Sequence, residues 1–172
     1  MTTPTSQVEQ FRRLYNQLYD DLWKYCQRRS PSTDEASEVL ADVMLALWER
    51  IDDVPSNGEA RPWAFGVARN QLRKRHSVRQ RNTNLARRLV TEFRQRRTIE
   101  PSEVTEAQAV LEALSELDEQ DQELLRLTGW ENLSHAEVAS ILDISENAVA
   151  IRLHRARQKF NYQIQKLTGG PK

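Results

Sequence analysis

The chain has few of the features that mark secreted or membrane proteins. It contains one cysteine, Cys26, among 172 residues, which excludes an internal disulfide and a cysteine-based zinc site. No apolar run approaches the roughly 20 residues needed to cross a bilayer. The N-terminal MTTPTSQVEQ has neither the basic start nor the apolar stretch of a signal peptide. We therefore expect a cytoplasmic protein without a membrane segment.

Glycine and proline are also scarce, at five and six residues, and apolar residues recur three and four positions apart, which predicts an all-α protein. No glycine-rich phosphate loop is present, and the three histidines are scattered along the chain. Asp52 and Asp53 could bind a cation, but their position in a loop is more typical of turn residues. We therefore predict no catalytic residue, no metal site and no cofactor, and an enzyme is the least favoured alternative.

Charge is distributed unevenly, although 25 basic and 25 acidic residues give a net charge of zero. Residues 1–60 carry −5, residues 61–97 carry +11, residues 98–150 carry −12 and residues 151–172 carry +6, and these values sum to zero. Solvated faces that pair with one another are the simpler interpretation. Twelve basic residues against one acid in 61–97 instead favour two separate phosphate contacts, one in each basic segment.

Residues 134–160, SHAEVASILDISENAVAIRLHRARQKF, have the pattern of a helix-turn-helix. Ser134 and Glu137 are spaced as a capping box, the turn falls at Asp143 and Ile144, and Ser145 is placed to cap the second helix. At about 100° per residue, two opposite faces of that helix are predicted: an apolar stripe of Val149, Leu153, Ala156 and Phe160, and an outer face of Asn147, Ile151, His154 and Gln158. Such a helix can enter the major groove of DNA, although an ordinary surface helix pair has the same spacing.

Three or four helices are predicted in residues 1–80. Ser6 with Glu9 and Ser32 with Glu35 predict capping boxes at two helix starts, and Pro31 separates the two helices. The predicted buried stripe of the first helix is Val8, Phe11, Leu14, Tyr15, Leu18, Leu22, Tyr25 and Cys26. That of the second helix is Ala36, Val39, Leu40, Val43, Met44, Leu47, Trp48 and Ile51. After a loop at 52–61, a third helix begins and buries, at least in part, Trp63, Val67 and Leu72.

The remaining chain predicts a linker and a second helical domain. LARRLVTEFRQRR is compatible with continued helix, whereas TIEPSEVTE is polar and interrupted by a proline, which is typical of a linker. In the second domain, Asp118 is placed to cap a helix and Gly129 to end it; the helix before them buries Val110, Leu111, Leu114 and Leu117. We predict two small helical domains, 1–81 and 106–168, joined by a flexible linker, 82–105, and followed by a tail, 169–172.

Four segments follow one another in an order that resembles the extracytoplasmic-function (ECF) class of the bacterial sigma-70 family. They are FRRLYNQLYDDLWKYCQRR, DEASEVLADVMLALWERI, RPWAFGVARNQLRKRHS, and ALSELDEQDQELLRL followed by the helix-turn-helix. The resemblance covers about residues 8–80 and 107–165. It implies a sigma-2-like and a sigma-4-like domain in an RNA polymerase sigma factor that binds core polymerase, recognises the −35 and −10 promoter elements and promotes strand opening.

The resemblance assigns two surfaces to the first domain. One, formed by Glu35, Glu38, Ala41 and Asp42, would dock on the clamp coiled coil of the largest polymerase subunit, where complementary charge gives steering and register. The other would receive a flipped base of the −10 element in the loop 52–61 and bind the neighbouring DNA. Its implied residues are Asn57, Gly58, Arg61, Trp63, Arg69, Asn70, Arg73 and Lys74. Trp63 is open to two roles, stacking on a base or, more commonly for a tryptophan on the buried side of a helix, packing in the core.

The second domain would read the −35 element through Asn147, Ile151, Arg152, His154, Arg155 and Arg157. Asparagine can pair with adenine N6 and N7, and isoleucine can meet a thymine methyl, while the arginines suit phosphates. The implied partners are promoter DNA, the polymerase clamp and flap, and an anti-sigma protein that covers the docking and DNA-facing surfaces.

Several positions depart from the family's frequent residues and leave the docking details and the promoter sequence open. Ala41 stands for a frequent glutamine, Lys74 for a frequent aspartate, Asp143 for a common glycine and Ala150 for a frequent lysine. The alternative function is a stand-alone helix-turn-helix regulator that binds DNA as a homodimer. It explains residues 134–160 equally well but leaves the acidic docking helix and the basic segment 61–97 without a role.

Overall fold

The regular structure of the chain is helical, as predicted. A computed structural model describes the backbone of residues 4–56, 58–90 and 106–168, and the side chains of 5–56, 58–78 and 106–168. In the first half, α1 spans Pro4–Arg29, α2 Thr33–Glu49 and α3 Ala60–Val90, with a 3₁₀ turn at Ile51–Asp53. In the second half, α4 spans Glu106–Ser115, α5 Glu119–Gly129, α6 His135–Leu142 and α7 Glu146–Thr168. These described residues contain no strand.

Side-chain caps set most of the helix starts that the sequence predicted. Ser32 caps α2 and Asp118 caps α5, each accepting a hydrogen bond from the backbone N–H three residues on, at 3.2 and 2.9 Å. The capping box predicted at Ser6 is wrong, because α1 already begins at Pro4. Proline suits the first helical turn, since it has no N–H to satisfy and its φ is already helical. Glu9 instead forms exposed ion pairs within α1.

The first unit is a three-helix arrangement in which α1, α2 and α3 pack against one another. Tyr25 of α1 and Phe65 of α3 meet edge to face with ring centroids 5.1 Å apart, and both are fully buried. The predicted stripes are confirmed at most positions: Leu14, Leu18, Leu22, Tyr25, Cys26, Ala36, Val39, Leu40, Val43, Leu47 and Ile51. They are wrong at Val8, Tyr15 and Trp48, which are exposed, because each stripe was drawn wider than the face that its neighbours cover.

The second unit packs α4, α5 and α6 around α7. Leu124 and Leu127 of α5 are buried, as are Val138 and Ile141 of α6. The predicted stripe of α4 is partly wrong: Leu111 is 58% exposed, and small residues occupy the buried face beside Leu114 and Leu117, namely Ala109 and Ala113. Leu114 and Leu117 are buried as predicted, but the search for large apolar residues passed over Ala109 and Ala113, through which α4 also approaches its neighbours.

The chain divides into two compact units between Arg96 and Arg97, a point within the predicted linker. Helix α3 runs to Val90, so the first residues of that linker are helical, while 91–105 and the tail 169–172 lie outside the described residues. The boundaries at 81 and 105 stay predictions. None of the described helices has the length and apolar character required to span a membrane.

Candidate nucleic-acid interfaces and docking face

The helix-turn-helix is built by hydrogen bonds at its two helix starts. At the start of α6, the Glu137 N–H donates to Ser134 Oγ at 3.2 Å, and the Ser134 N–H donates to Glu137 Oε2 at 2.8 Å, which confirms the capping box. At the start of α7, the Ala148 N–H donates to Ser145 Oγ at 3.1 Å, which confirms that cap. Only three residues separate the two helices, and the first residues of each helix are held by a cap. These constraints fix the direction of α7 relative to α6.

Asp143 makes the turn by adopting a left-handed conformation, with φ 54° and ψ 51°. The next N–H, that of Ile144, bonds back to the Ala139 carbonyl at 3.1 Å, which closes the C-terminus of α6. The second left-handed non-glycine residue of the described chain is Asn132, after α5. Gly129 is the last residue of α5, as predicted, and the left-handed residue comes three positions later at Asn132.

Because an L-residue in this conformation is strained by about 1–2 kcal/mol, we expect Asp143→Gly to raise the free energy of unfolding by about 0.5–1 kcal/mol. Asp143→Val, with a β-branched side chain, should lower it by at least about 1 kcal/mol. The measurement is thermal or denaturant unfolding. Ala150→Gly is the matched control, since the same residue placed inside α7 should destabilise by about 1 kcal/mol. A destabilising Asp143→Gly would contradict the strained turn.

Helix α7 separates a buried face from an exposed basic face. Val149, Leu153 and Ala156 are buried, so the helix is anchored along the predicted stripe. All six residues assigned to the −35 element are exposed: Asn147, Ile151, Arg152, His154, Arg155 and Arg157. Within the described part of the chain, none of the three arginines forms an ion pair. Their charge is therefore available to an external anion.

The C-terminal half of α7 is tied to the start of α5. Lys159 Nζ donates to Asp118 Oδ2 at 3.2 Å and also to Asp121, whose side chain is largely buried. The hydrogen bond from the Asp121 backbone N–H lowers the pKa of Asp118, and Lys159 lowers it further. Sequence analysis found the cap at Asp118 but not the lysine, which lies 41 residues away.

Loss of the Asp118 cap should cost about 1 kcal/mol, so Asp118→Ala is expected to destabilise the second unit by that amount at pH 7. The pKa of Asp118 is lower in the folded chain than in the unfolded chain. Its carboxylate therefore stabilises the second unit at pH values above the unfolded pKa of about 4, and this stabilisation is lost as the pH falls through the folded pKa. Asp118→Asn keeps the cap and should remove this pH dependence. Hydrogen exchange of the α5 amides at pH 7 and below pH 4 measures both effects. If Asp118→Asn loses as much protection at low pH as wild type does, the carboxylate of Asp118 is not the cause of the pH dependence.

In the first unit, the residues assigned to the −10 element are only partly brought together. Asn70, Arg73 and Lys74 are exposed on α3 with half-buried Arg69 beside them, at spacings of three and four that place them on one face. Arg61 lies elsewhere: its guanidinium contacts Asp21 of α1 at 3.3 Å and lies 5.2 Å from the Phe65 ring centroid. It therefore ties α3 to α1 in this structure.

The loop before α3 has one position that requires glycine. Gly58 has φ +87°, where an L side chain would be strained, and no atom lies within 4 Å of the place of a Cβ. Trp63 is half-buried, and the Arg50 guanidinium lies 5.3 Å from its ring centroid, so the indole is covered on one side by a cation. Asn57, the remaining predicted loop residue, lies outside the described residues.

The docking residues lie on one side of α2, and we call Glu35, Glu38, Ala41 and Asp42 the acidic face. Glu38 and Ala41 are exposed, and Glu35 and Asp42 are half-buried. Arg75 of α3, which sequence analysis missed, reaches this face: Nη1 donates to Glu38 Oε2 at 2.8 Å, and Nη2 donates to Asp42 Oδ2 at 2.7 Å. Hydrogen bonds with Glu38 and then Asp42 raise the pKa of Arg75, which keeps the guanidinium charged.

A signal for Arg75 is present in the sequence. The buried residues Phe65, Ala68 and Leu72 of α3 recur at intervals of three and four, and Arg75 is the next position of that stripe. An arginine in a stripe position needs a carboxylate partner, since its charge would otherwise be desolvated without compensation. Its charge alone places Arg75 with the basic segment 61–97, and only its position on the helix separates it from that segment.

A second feature that sequence analysis missed is a row of aromatic side chains on α1 and α2. The rings of Phe11 and Trp48 meet edge to face, with centroids 5.4 Å apart. The ring of Tyr15 is tilted against both neighbours, with its centroid 6.3 Å from that of Phe11 and 4.9 Å from that of Tyr19. Tyr15 and Trp48 are each 40% exposed, and Leu45 of α2 is 56% exposed. Phe11, Tyr15 and Trp48 continue the core periodicity and were predicted as core residues, whereas Tyr19 and Leu45 were not.

Comparisons with known proteins agree on both units. The family model for sigma-70 region 2 matches residues 14–82, and the model for sigma-70 region 4 matches residues 107–160. ECF RNA polymerase sigma factor SigL of Mycobacterium tuberculosis is 29% identical over 164 residues, covering 91% of this chain and 89% of that protein. RNA polymerase sigma factor NccH of Alcaligenes xylosoxydans xylosoxydans is 29% identical over 141 residues, with 78% and 75% covered.

Solved structures show the same fold. Sigma factor RpoE, in complex with the anti-sigma factor NepR from Bartonella quintana, aligns with a TM-score of 0.69 at 20% identity, over 94% of this chain and 98% of that one. CnrH, in complex with the cytosolic domain of CnrY, aligns with a TM-score of 0.64 at 22% identity, over 91% and 88%. Identity this low supports the fold and carries no residue-level assignment.

Proposed function

The chain belongs to the sigma-70 family, as an RNA polymerase sigma factor of the ECF type, and from this premise we propose which of its surfaces bind polymerase and promoter. The observation that carries the proposal is a pair of exposed basic faces, on α3 in the region matched to sigma-70 region 2 and on α7 in the region matched to region 4. The stand-alone regulator does not account for the match at 14–82.

We assign −35 recognition to the exposed face of α7. Asn147 and Ile151 lie one turn apart near the N-terminal end of the helix, the end that meets base edges when a recognition helix enters the major groove. Asparagine reads adenine and isoleucine meets thymine, while Arg152, Arg155 and Arg157 neutralise the phosphates along the groove. His154, exposed beside them, completes the surface.

If Asn147 pairs with one adenine, Asn147→Ala should weaken −35 binding by about 1–3 kcal/mol and relax the preference at one base pair. The measurement is competition binding of holoenzyme to promoters that carry every single-base variant of the −35 element. Tyr162→Phe, exposed towards the C-terminal end of α7, is the matched control and should leave the preference at that base pair unchanged. An unchanged preference in Asn147→Ala at every position would remove Asn147 from the interface.

We assign −10 binding to the exposed face of α3 and the loop that precedes it. Asn70, Arg73 and Lys74 present one amide and two cations along a single helix face, which suits a phosphate backbone. The positive φ of Gly58 allows the loop to turn closely, as a pocket for a flipped base requires. Unstacking a base costs a few kcal/mol, which the pocket and the phosphate contacts must offset.

The acidic face of α2 is assigned to the polymerase, and an anti-sigma protein is proposed as a further partner. Three carboxylates on one partly exposed helix face suit a basic helical surface, for which the clamp coiled coil is the candidate. Support for the anti-sigma partner comes from two relatives of the same fold, which are bound to NepR and to CnrY. Co-purification of such a protein with the tagged chain tests that partner.

Run-off transcription with core polymerase and a randomised promoter library tests the whole proposal. We expect the chain to direct initiation at a subset of templates that share two elements, and to bind promoter duplex poorly without polymerase. Initiation no better than that of core polymerase alone would contradict the proposal. Tight binding of a dimer to a palindrome without polymerase would favour the alternative regulator.

A further inference from the structure

Two of the three carboxylates assigned to polymerase docking, those of Glu38 and Asp42, share one internal partner. Arg75 donates through Nη1 to Glu38 and through both Nε and Nη2 to Asp42, at 2.8, 3.1 and 2.7 Å. The side chain of Arg75 is 31% exposed, against 68% for Glu38 and 46% for Asp42. The guanidinium therefore lies on the core side of this cluster and the carboxylates lie toward solvent.

Arg75 leaves one oxygen of each carboxylate available. Its bonds go to Oε2 of Glu38 and to Oδ2 of Asp42. In the described part of the chain, Oε1 of Glu38 and Oδ1 of Asp42 have no hydrogen-bond donor. A second cation can therefore bind the cluster from outside while Arg75 stays in place.

Without Arg75, the carboxylates would oppose each other. Glu38 and Asp42 are four residues apart on α2, and like charges at this spacing repel. A planar guanidinium can hold two carboxylates in a fixed geometry, which the single ammonium of a lysine cannot do as well. Fixing side chains before binding removes the entropy cost of ordering them in the complex.

We infer that Arg75 is a positioning residue of the docking face: it holds Glu38 and Asp42 so that their free oxygens meet a lysine- or arginine-bearing helical surface of the polymerase. The inference rests on the proposed docking role of the acidic face. It also gives a basic residue of α3 a role in binding protein, whereas its neighbours Arg73 and Lys74 are assigned to DNA.

The test is the affinity of the full chain for core polymerase, with association and dissociation rates measured at low and physiological salt. Charge alone predicts that Arg75→Gln binds a basic partner more tightly, because the face becomes more negative. Positioning predicts the opposite sign: roughly tenfold weaker binding, expressed as faster dissociation. Arg75→Lys keeps the positive charge but loses the planar guanidinium that holds both carboxylates, so it should also bind more weakly.

Two further variants separate this inference from the docking role itself. The pair Glu38→Gln and Asp42→Asn should weaken binding, and adding Arg75→Gln to that pair should cause no further loss, because Arg75 acts through the two carboxylates. Arg13→Gln is the charge-matched control, since Arg13 is exposed on α1 and, among the residues that the structure describes, pairs only with Glu9. It should bind within about twofold of wild type. Circular dichroism and thermal unfolding show whether each variant is folded.

The outcomes distinguish the docking role of the acidic face from the positioning role of Arg75. Unchanged binding by the Glu38 and Asp42 double variant would overturn both the docking role and the inference. A weakened double variant with wild-type or tighter binding by Arg75→Gln would leave docking in place and overturn the positioning role. An additive loss in the triple variant would also overturn it. Weakened, non-additive binding by a folded Arg75→Gln chain would support it.

Discussion

Replacing Phe65 by alanine is expected to remove most of the stability of the first unit. Phe65 has no exposed surface, packs edge to face on Tyr25 at 5.1 Å and lies under the Arg61 guanidinium. Removing a buried phenylalanine costs about 3–5 kcal/mol, and a small domain lies near the lower end of the usual 5–15 kcal/mol of stability. Hydrogen exchange should show lost protection in α1, α2 and α3, with α5 to α7 still protected.

Val78→Ala is the matched control, since Val78 lies on the same helix and is 57% exposed. It should change stability by no more than about 0.5 kcal/mol. Equal loss of protection in both units after Phe65→Ala would show that the units do not unfold independently. Retained protection in α1 to α3 would contradict the central position of Phe65 in the core.

The second large effect is expected on promoter binding. Changing Arg152, Arg155 and Arg157 together to glutamine removes three cations that form no ion pair within the described chain. At about 1.5 kcal/mol for each charge-assisted contact, holoenzyme should bind the promoter roughly 10³-fold more weakly. The slope of log K against log salt should become less negative by about 3, because each phosphate contact releases about one counterion.

The matched control removes three exposed positive charges from α1 by changing Arg12, Arg13 and Lys24 to glutamine. This variant has the same net charge as the first, so its affinity and salt slope report any effect of charge alone. Both measurements come from salt titrations of holoenzyme on one promoter and on unrelated duplex. A slope that changes by less than one unit in the α7 variant would place the arginines away from the phosphates.

Local rules in the sequence predicted the helix-turn-helix well. The caps at Ser134, Ser145 and Asp118 depend on residues three positions apart, and the buried stripe of α7 depends on a 3.6-residue period. Such patterns need no knowledge of what the helix packs against. The outer face of α7, including Asn147, follows from the same period, because the face opposite a buried stripe is exposed.

Non-local features were missed, and the reason is the same in each case. Leu111 and Trp48 continue an apolar period, yet both are exposed, because a stripe is buried only as far as a neighbouring helix extends. Arg61 lies in the predicted DNA-binding loop, yet it bonds to Asp21, which is 40 residues away in the chain. Periodicity gives the direction of a side chain but not the element that it meets.

By itself, the amino-acid sequence determined the helical class, the helix starts at Ser32, Asp118, Ser134 and Ser145, the family and the residues that α7 exposes, because each of these follows from short-range spacing or from the order of motifs. Only the tertiary structure decided how the acidic face is organised. Arg75 and the two carboxylates are more than 30 residues apart in the chain and meet because α2 and α3 pack side by side. A charge run can predict attraction, but the packing of helices selects which arginine reaches which carboxylate.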